Sequence, residues 1–212
     1  ADGASLNVST TVPGLGRHLS FVATAGQNLG LGLRGMTQTP NSGYSNVVYV
    51  YKPDRTLLLQ PVGCRVSDPD GGCQVNLTNL PQSGTYSMIL IPGGGGTLAG
   101  TLTLSSDAIG TLASGLPTGV NLTRAGQNAR YTFSATAGET AVVAITNLVT
   151  APPSQLVLAT VLKPDGTQQA SQSSTATGLT MNLGALATTG VYTLVIDPYY
   201  GATVSMTVVK TP

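Results

Sequence analysis

The chain is written twice, and that duplication limits what it can fold into. Phe21-Val22-Ala23-Thr24-Ala25-Gly26 returns as Phe133-Ser134-Ala135-Thr136-Ala137-Gly138. Lys52-Pro53-Asp54-Arg55-Thr56 returns as Lys163-Pro164-Asp165-Gly166-Thr167, and Gly84-Thr85-Tyr86 as Gly190-Val191-Tyr192. Two copies of one module of roughly 105 residues follow. We place them at 1–104 and 105–212. The duplication is also an internal control: a residue the fold requires recurs in both copies, and a residue present in one copy is a candidate for a local role.

The second copy is the clearer text. Arg130-Tyr131-Thr132-Phe133-Ser134 alternates with period two and reads as a half-buried strand. Strands are expected over 140–147, 155–162, 179–183, 190–197 and 203–210. Lys163-Pro164-Asp165-Gly166 is a β-turn: Pro presets φ, Asp accepts local backbone bonds, and Gly permits positive φ. No segment sustains a 3.6-residue period. The fold class is therefore all-β, two tandem immunoglobulin-like or jelly-roll-like β-sandwich modules of about seven or eight strands each. The expected core face carries Tyr86, Met88 and Leu90 in one copy and Tyr192, Leu194 and Ile196 in the other. Tyr49 and Tyr51 share a face, also read as core. The Gly-x-Tyr steps resemble the tyrosine corner of such sandwiches, in which the phenol bonds back to upstream backbone. Ser105-Ser106 reads as a short linker, so the modules are expected to form a semi-rigid rod.

Charge excludes several functions. Only 8% of residues are charged, against a usual quarter or so, and the net charge is +1. No basic stripe offers itself to nucleic acid or an anionic membrane. No apolar run reaches the roughly 18 residues of a membrane helix. A first residue other than Met fits a mature protein freed of its signal peptide.

Candidate chemistry is sparse. Cys64 and Cys73 lie close together in a loop that the second copy lacks, far from the single histidine, His18. A disulfide is the better reading of this pair than a metal site, and it implies an oxidising compartment. Between them, Asp68-Pro69-Asp70-Gly71-Gly72 could supply oxygen ligands to calcium, although a turn-rich loop tip explains it as well. Asp68 and Asp70 are weak metal candidates, and no cofactor is expected. Gly30-Leu31-Gly32-Leu33-Arg34-Gly35 matches a dinucleotide fingerprint without the following helix that phosphate binding needs. Glycines in such a strand mark a bulge or a close backbone approach. Tyr199-Tyr200, where the first copy has Gly93-Gly94, are candidate ligand contacts at a loop tip. No repeated histidine, nucleophile elbow or paired carboxylate supports catalysis.

Ala125 to Glu139, Leu162 to Thr167 and Thr189 to Pro198 together resemble tandem β-sandwich repeats of large secreted bacterial surface proteins. More loosely they are similar to bacterial pre-peptidase C-terminal domains, which accompany secreted hydrolases. That resemblance implies a sandwich in each copy and, in the second family, calcium-ligating acids near the first strand. Arg17 to Phe21 and Arg130 to Phe133 lack that acidic pattern.

The expected function is that of a non-enzymatic extracellular or cell-surface structural protein, a subunit of a filament, sheath, stalk or adhesin. Its expected partners are further copies of itself or another extracellular protein or glycan. Assembly could proceed by strand addition at an open sheet edge. The candidate donated strand is Ser5-Leu6-Asn7-Val8-Ser9-Thr10-Thr11-Val12. The alternative is a carbohydrate- or collagen-binding accessory module of a secreted enzyme, with Tyr199 and Tyr200 as contacts.

Overall fold

The computed structural model describes residues 1–212. It forms two compact units: Ala1–Ser106 with Arg124–Gly126, and Asp107–Thr123 with Gln127–Pro212. Unit 1 contains β1 (Leu6–Ser9), β2 (Arg17–Ala23), β3 (Leu29–Thr39), β4 (Asn46–Tyr51), β5 (Val62–Cys64), β6 (Cys73–Leu77), β7 (Gly84–Ile91) and β8 (Thr97–Ser106). They make two four-stranded antiparallel sheets, ordered β1-β8-β3-β6 and β2-β7-β4-β5.

Unit 2 contains β9 (Ala108–Thr111), β10 (Thr118–Leu122), β11 (Ala129–Ala135), β12 (Thr140–Ala151), β13 (Val157–Leu162), β14 (Gln168–Ser174), β15 (Leu179–Ala185), β16 (Gly190–Pro198) and β17 (Thr203–Thr211). Its first sheet, β10-β17-β12-β15, repeats the first sheet of unit 1 strand for strand. Its second, β14-β13-β16-β11-β9, repeats the other sheet and adds β9 at one edge. Both units are β-sandwiches, as the alternation requires.

The core follows the pleat. Tyr86, Met88, Leu90 and their counterparts Tyr192, Leu194 and Ile196 are at most 1% exposed. Each buried tyrosine keeps its hydroxyl satisfied by the corner arrangement: Tyr86 donates to the Gln82 carbonyl at 2.7 Å and Tyr192 to the Thr188 carbonyl at 2.8 Å. Their rings stack on Phe21 and Phe133 at 5.4 and 5.6 Å between centroids.

Two expectations need correcting. Tyr49 and Tyr51 are not core. In β4 it is Val48 and Val50, opposite Leu90 and Met88, that point inward, so the tyrosines stack on each other on the outer face. Ser105-Ser106 is not a linker, because both residues continue the β8 ladder opposite Gly30 and Leu29. Small hydroxyl residues pair in a ladder as well as any, since the bonds are made by the backbone.

The glycines of the 30–35 stretch sit within β3, not at a helix start. Gly32 leaves no room for a Cβ against the backbone of Ala125 and Gly126, which belong to unit 1. Gly35 has φ +61° at a bulge between Arg34 and Thr37, and its counterpart Asn147 has φ +52° at the matching bulge of β12. Asn is the residue that tolerates this region best after Gly.

The Lys-Pro-Asp turns close identically. Asp54 accepts from the Thr56 N–H at 2.9 Å and its hydroxyl at 2.6 Å, and Asp165 accepts from Thr167 at 2.8 and 2.6 Å. The Thr56 hydroxyl and backbone bonds hold the Asp54 carboxyl down to about 2, and Thr167 lowers Asp165 in the same way. A depressed folded-state pKa stabilises above the unfolded value and is lost as pH falls toward the folded one. We therefore expect the urea midpoint to fall between pH about 4 and about 2, and Asp54→Asn to reduce the share of that slope arising in unit 1.

Candidate functional site

Every feature present in one copy only is a candidate for function, and the structure places each. Cys64 and Cys73 form a disulfide of 2.01 Å, which closes the loop between β5 and β6. Within that loop Arg34 reaches Asp70 with Nη2 at 2.7 Å and Nε at 2.8 Å, while Asp68 accepts from the Arg65 N–H at 3.2 Å. The two carboxylates thus serve as loop staples. A bridge across so short a loop contributes on the order of 2–3 kcal/mol. Paired Cys64→Ala and Cys73→Ala changes are expected to lower unit 1 stability by that amount and leave unit 2 unaltered in unit-resolved hydrogen exchange.

Tyr199 and Tyr200 occupy a single 3-10 turn between β16 and β17, with ring centroids 6.3 Å apart. Tyr200 is 36% exposed and has φ +57°, the same left-handed conformation that Gly94 takes in the first copy with φ +56°. Of the segment Ser5 to Val12, Leu6–Ser9 forms β1 and pairs with β8 of its own unit, burying Val8. Ser5, Thr10, Thr11 and Val12 flank it.

The largest difference between the copies lies at an edge that the sequence did not mark. In unit 2, β9 runs parallel to β11, with Ala108 opposite Ala129 and Thr111 opposite Thr132. The N–H groups of Ala108 and Leu112 donate to the carbonyls of Asn128 and Thr132, each at 2.8 Å. At its start Asp107, its side chain 3% exposed, is bound by Arg130 at 2.7 Å. Burial pushes the Asp107 carboxyl above its ordinary value, and the Arg130 hydrogen bond and charge partly offset this. At its end Leu112, 5% exposed, enters the core cluster of Phe133, Val143, Leu194 and Val208.

Unit 1 has no such strand. β2 is an edge strand, paired with β7 alone. Beside it a pocket of about 240 Å³ is lined by Leu19, Phe21, Leu31, Met88, Leu102 and Leu104, with Ala1, Gly3 and Ala4 at the chain start among its remaining walls. Phe21, Leu31, Met88 and Leu102 are the counterparts of the residues that cluster with Leu112. The pocket thus stands where Leu112 sits in unit 2.

No family model matches the chain, and no curated protein matches it. Solved structures give loose likenesses. The pre-peptidase C-terminal domain of a collagenase from Bacillus anthracis aligns over 50% of this chain and 98% of its own, with 11% identity and a TM-score of 0.41. The periplasmic inhibitor of g-type lysozyme PliG from Aeromonas hydrophila aligns over 50% of this chain and 100% of its own, with 14% identity and a TM-score of 0.33. The N-terminal CBM22-1-CBM22-2 tandem domain of Xyn10C from Paenibacillus barcinonensis aligns over 98% of this chain and 79% of its own, with 9% identity and a TM-score of 0.32.

Proposed function

We propose that the chain is a non-enzymatic extracellular structural protein, a subunit of a filament, sheath, stalk or adhesin assembled through its sandwiches. The observation that carries this reading is the content of the repetition. The copies share a core (Phe21 and Phe133, Tyr86 and Tyr192), a turn (Asp54 and Asp165) and a bulge (Gly35 and Asn147), all of which build a sandwich. The repeated carboxylates are spent on their own turns. The disulfide fits a secreted protein. Association proceeds through backbone pairing at sheet edges, for which strand addition is the general mode and the 5–12 segment, lying on the edge strand β1, is one candidate donor. Negative-stain microscopy over a concentration series tests it: fibres or ordered oligomers are expected, and discrete monomers at every concentration contradict it.

A second reading rests on Tyr200, an aromatic side chain held at a loop tip against its backbone preference. A carbohydrate- or collagen-binding module would use Tyr199 and Tyr200 as stacking surfaces. Glycan-array binding that is lost on changing both to Ala supports it, and binding that survives the change removes this site.

A further inference from the structure

We infer that each unit carries a ligand site at the same end of its sandwich, built around Tyr44 in unit 1 and Tyr200 in unit 2, and that the ligand is a neutral oligosaccharide. The inference rests on the second reading above, and adds to it a site in unit 1 and a chemical class for both sites.

Two connections meet at this end of each unit. In unit 2 the turn Tyr199–Gly201 packs on the β12–β13 loop, with the Tyr199 N–H donating to the Leu156 carbonyl at 2.9 Å. In unit 1 the turn Gly93–Gly95 packs on the β3–β4 loop, where a Cβ at Gly93 would stand 2.5 and 2.6 Å from the Ser45 and Tyr44 carbonyl oxygens. Alignment of the copies puts Gly94 opposite Tyr200 and so hides an aromatic residue in unit 1. Gly94 and Tyr200 share their left-handed backbone, so a Cβ on Gly94 marks where the Tyr200 side chain leaves its turn. That Cβ would stand 3.2 Å from Cδ2 of Tyr44. The β3–β4 loop therefore brings the Tyr44 ring to the place from which Tyr200 rises in unit 2. A phenol recurs at one place in both copies although different connections supply it. Core packing does not require it there, since Tyr44 is 70% and Tyr200 36% exposed.

Unit 1 also fixes its tip with buried polar groups. Gln38 Nε2 donates to the Gly93 carbonyl, and Asn46 Oδ1 accepts from the Gly93 N–H at 3.1 Å. Two buried amides thus hold one peptide of a run of glycines, 93–96, that has little stiffness of its own. A preformed tip loses less freedom when a ligand binds. The surroundings of the rings set the ligand class. Residues 40–46 with 93–97, and 152–156 with 199–203, contain no charged side chain. Asn41 and Ser42 in the first tip, and Ser154 and Gln155 in the second, supply amide and hydroxyl groups. Arg65 stands beside the first tip, its Nε donating to Ser45 Oγ at 3.3 Å, and the second tip has no matching cation. What the tips share is a rigid phenol face beside uncharged hydrogen-bonding groups. That combination fits the apolar CH face and hydroxyl rim of a neutral sugar ring.

The test is titration of the whole protein with cellohexaose, xylohexaose, maltohexaose and chitohexaose, followed by NMR of the amides and tyrosine rings. With at least one of these sugars, saturable shifts are expected at two separate places, Tyr44 with 93–96 and residues 199–202. Tyr44→Ala should weaken binding in unit 1 at least about tenfold and leave the shifts of unit 2 unchanged, and Tyr200→Gly should do the reverse. Both variants should fold, because Tyr44 is an exposed loop residue and glycine at 200 relieves a positive φ as Gly94 does in unit 1. On a dense glycan array either change should lower retention, since one of two sites is lost. Shifts confined to 199–202 and unaffected by Tyr44→Ala would overturn the site in unit 1 and leave the second reading standing. Tighter binding of a heparin hexasaccharide than of any neutral sugar would overturn the ligand class. Absence of shifts with every sugar at millimolar concentration overturns the inference and the second reading together.

Discussion

Replacing Phe133 by alanine is expected to destabilise unit 2 by about 3–5 kcal/mol, and Phe21→Ala to destabilise unit 1 by no more than about half as much. The two residues share a strand position, a stacking tyrosine and a sequence context, so a difference between them isolates the contribution of β9. Phe133 is enclosed by the cluster that includes Leu112. The Lys210 ammonium, itself bound to Glu139 at 2.8 Å, lies 5.9 Å from its ring. Truncation there loses the transfer energy of the ring and leaves a cavity that close-packed neighbours fill poorly. Phe21 borders the pocket beside β2 and is only half-buried. Its truncation widens a pocket that is already there, so the added cavity contribution is small. Native-state hydrogen exchange against denaturant resolves the two units separately. Equal losses in both units would show that β9 and Leu112 do not account for the tighter enclosure of Phe133.

The second large effect is expected at the ion pair that fixes the start of β9. Arg130→Met leaves the Asp107 carboxylate buried without its partner. Breaking a fully buried pair costs about 3–5 kcal/mol, and the 18% exposure of Arg130 reduces the expected loss to about 2–4 kcal/mol at neutral pH. The sign of the pH dependence follows from burial. Asp107 already has a raised pKa, and loss of the guanidinium raises it further. A raised carboxyl pKa costs stability at neutral pH, and that cost is relieved as pH falls through the folded-state value. The deficit of the variant relative to wild type should therefore shrink on acidification, as read from urea midpoints. A deficit independent of pH would place the loss in packing of the arginine stem instead. The matching change in unit 1, His18→Met, touches an exposed side chain with no counterpart acid and should alter stability by no more than about 0.5 kcal/mol.

Much of the sandwich is legible in the sequence because its strands are half-buried. Period-two alternation marks Tyr192, Leu194 and Ile196 directly, and the Pro-Asp-Gly turn fixes where β13 ends. The elements that escape are those without alternation. β14, Gln-Gln-Ala-Ser-Gln-Ser-Ser, is an edge strand that buries neither face fully, so no period appears. β5 has three residues. β9 is short, contains Gly110 and is held by backbone bonds to a strand some distance along the chain, so its local pattern carries no signal. Tyr49 and Tyr51 mislead because aromatic residues fit either face of a pleat, and the smaller Val48 and Val50 fill the space opposite β7.

The candidate sites divide in the same way. The disulfide was legible from two cysteines without further ligands nearby. The open edge of β2 was not, because it consists of backbone groups and a gap; it became visible once the pairing of both copies could be compared.

The most direct measurement is amide exchange in the free protein at four positions. His18 and Ser20 in β2 are the counterparts of Arg130 and Thr132 in β11, whose backbones face β9. The account predicts that the Arg130 and Thr132 amides are protected at least about a hundredfold more strongly than those of His18 and Ser20. Equal protection at the two pairs would mean that the edge of β2 is already covered, and would contradict it.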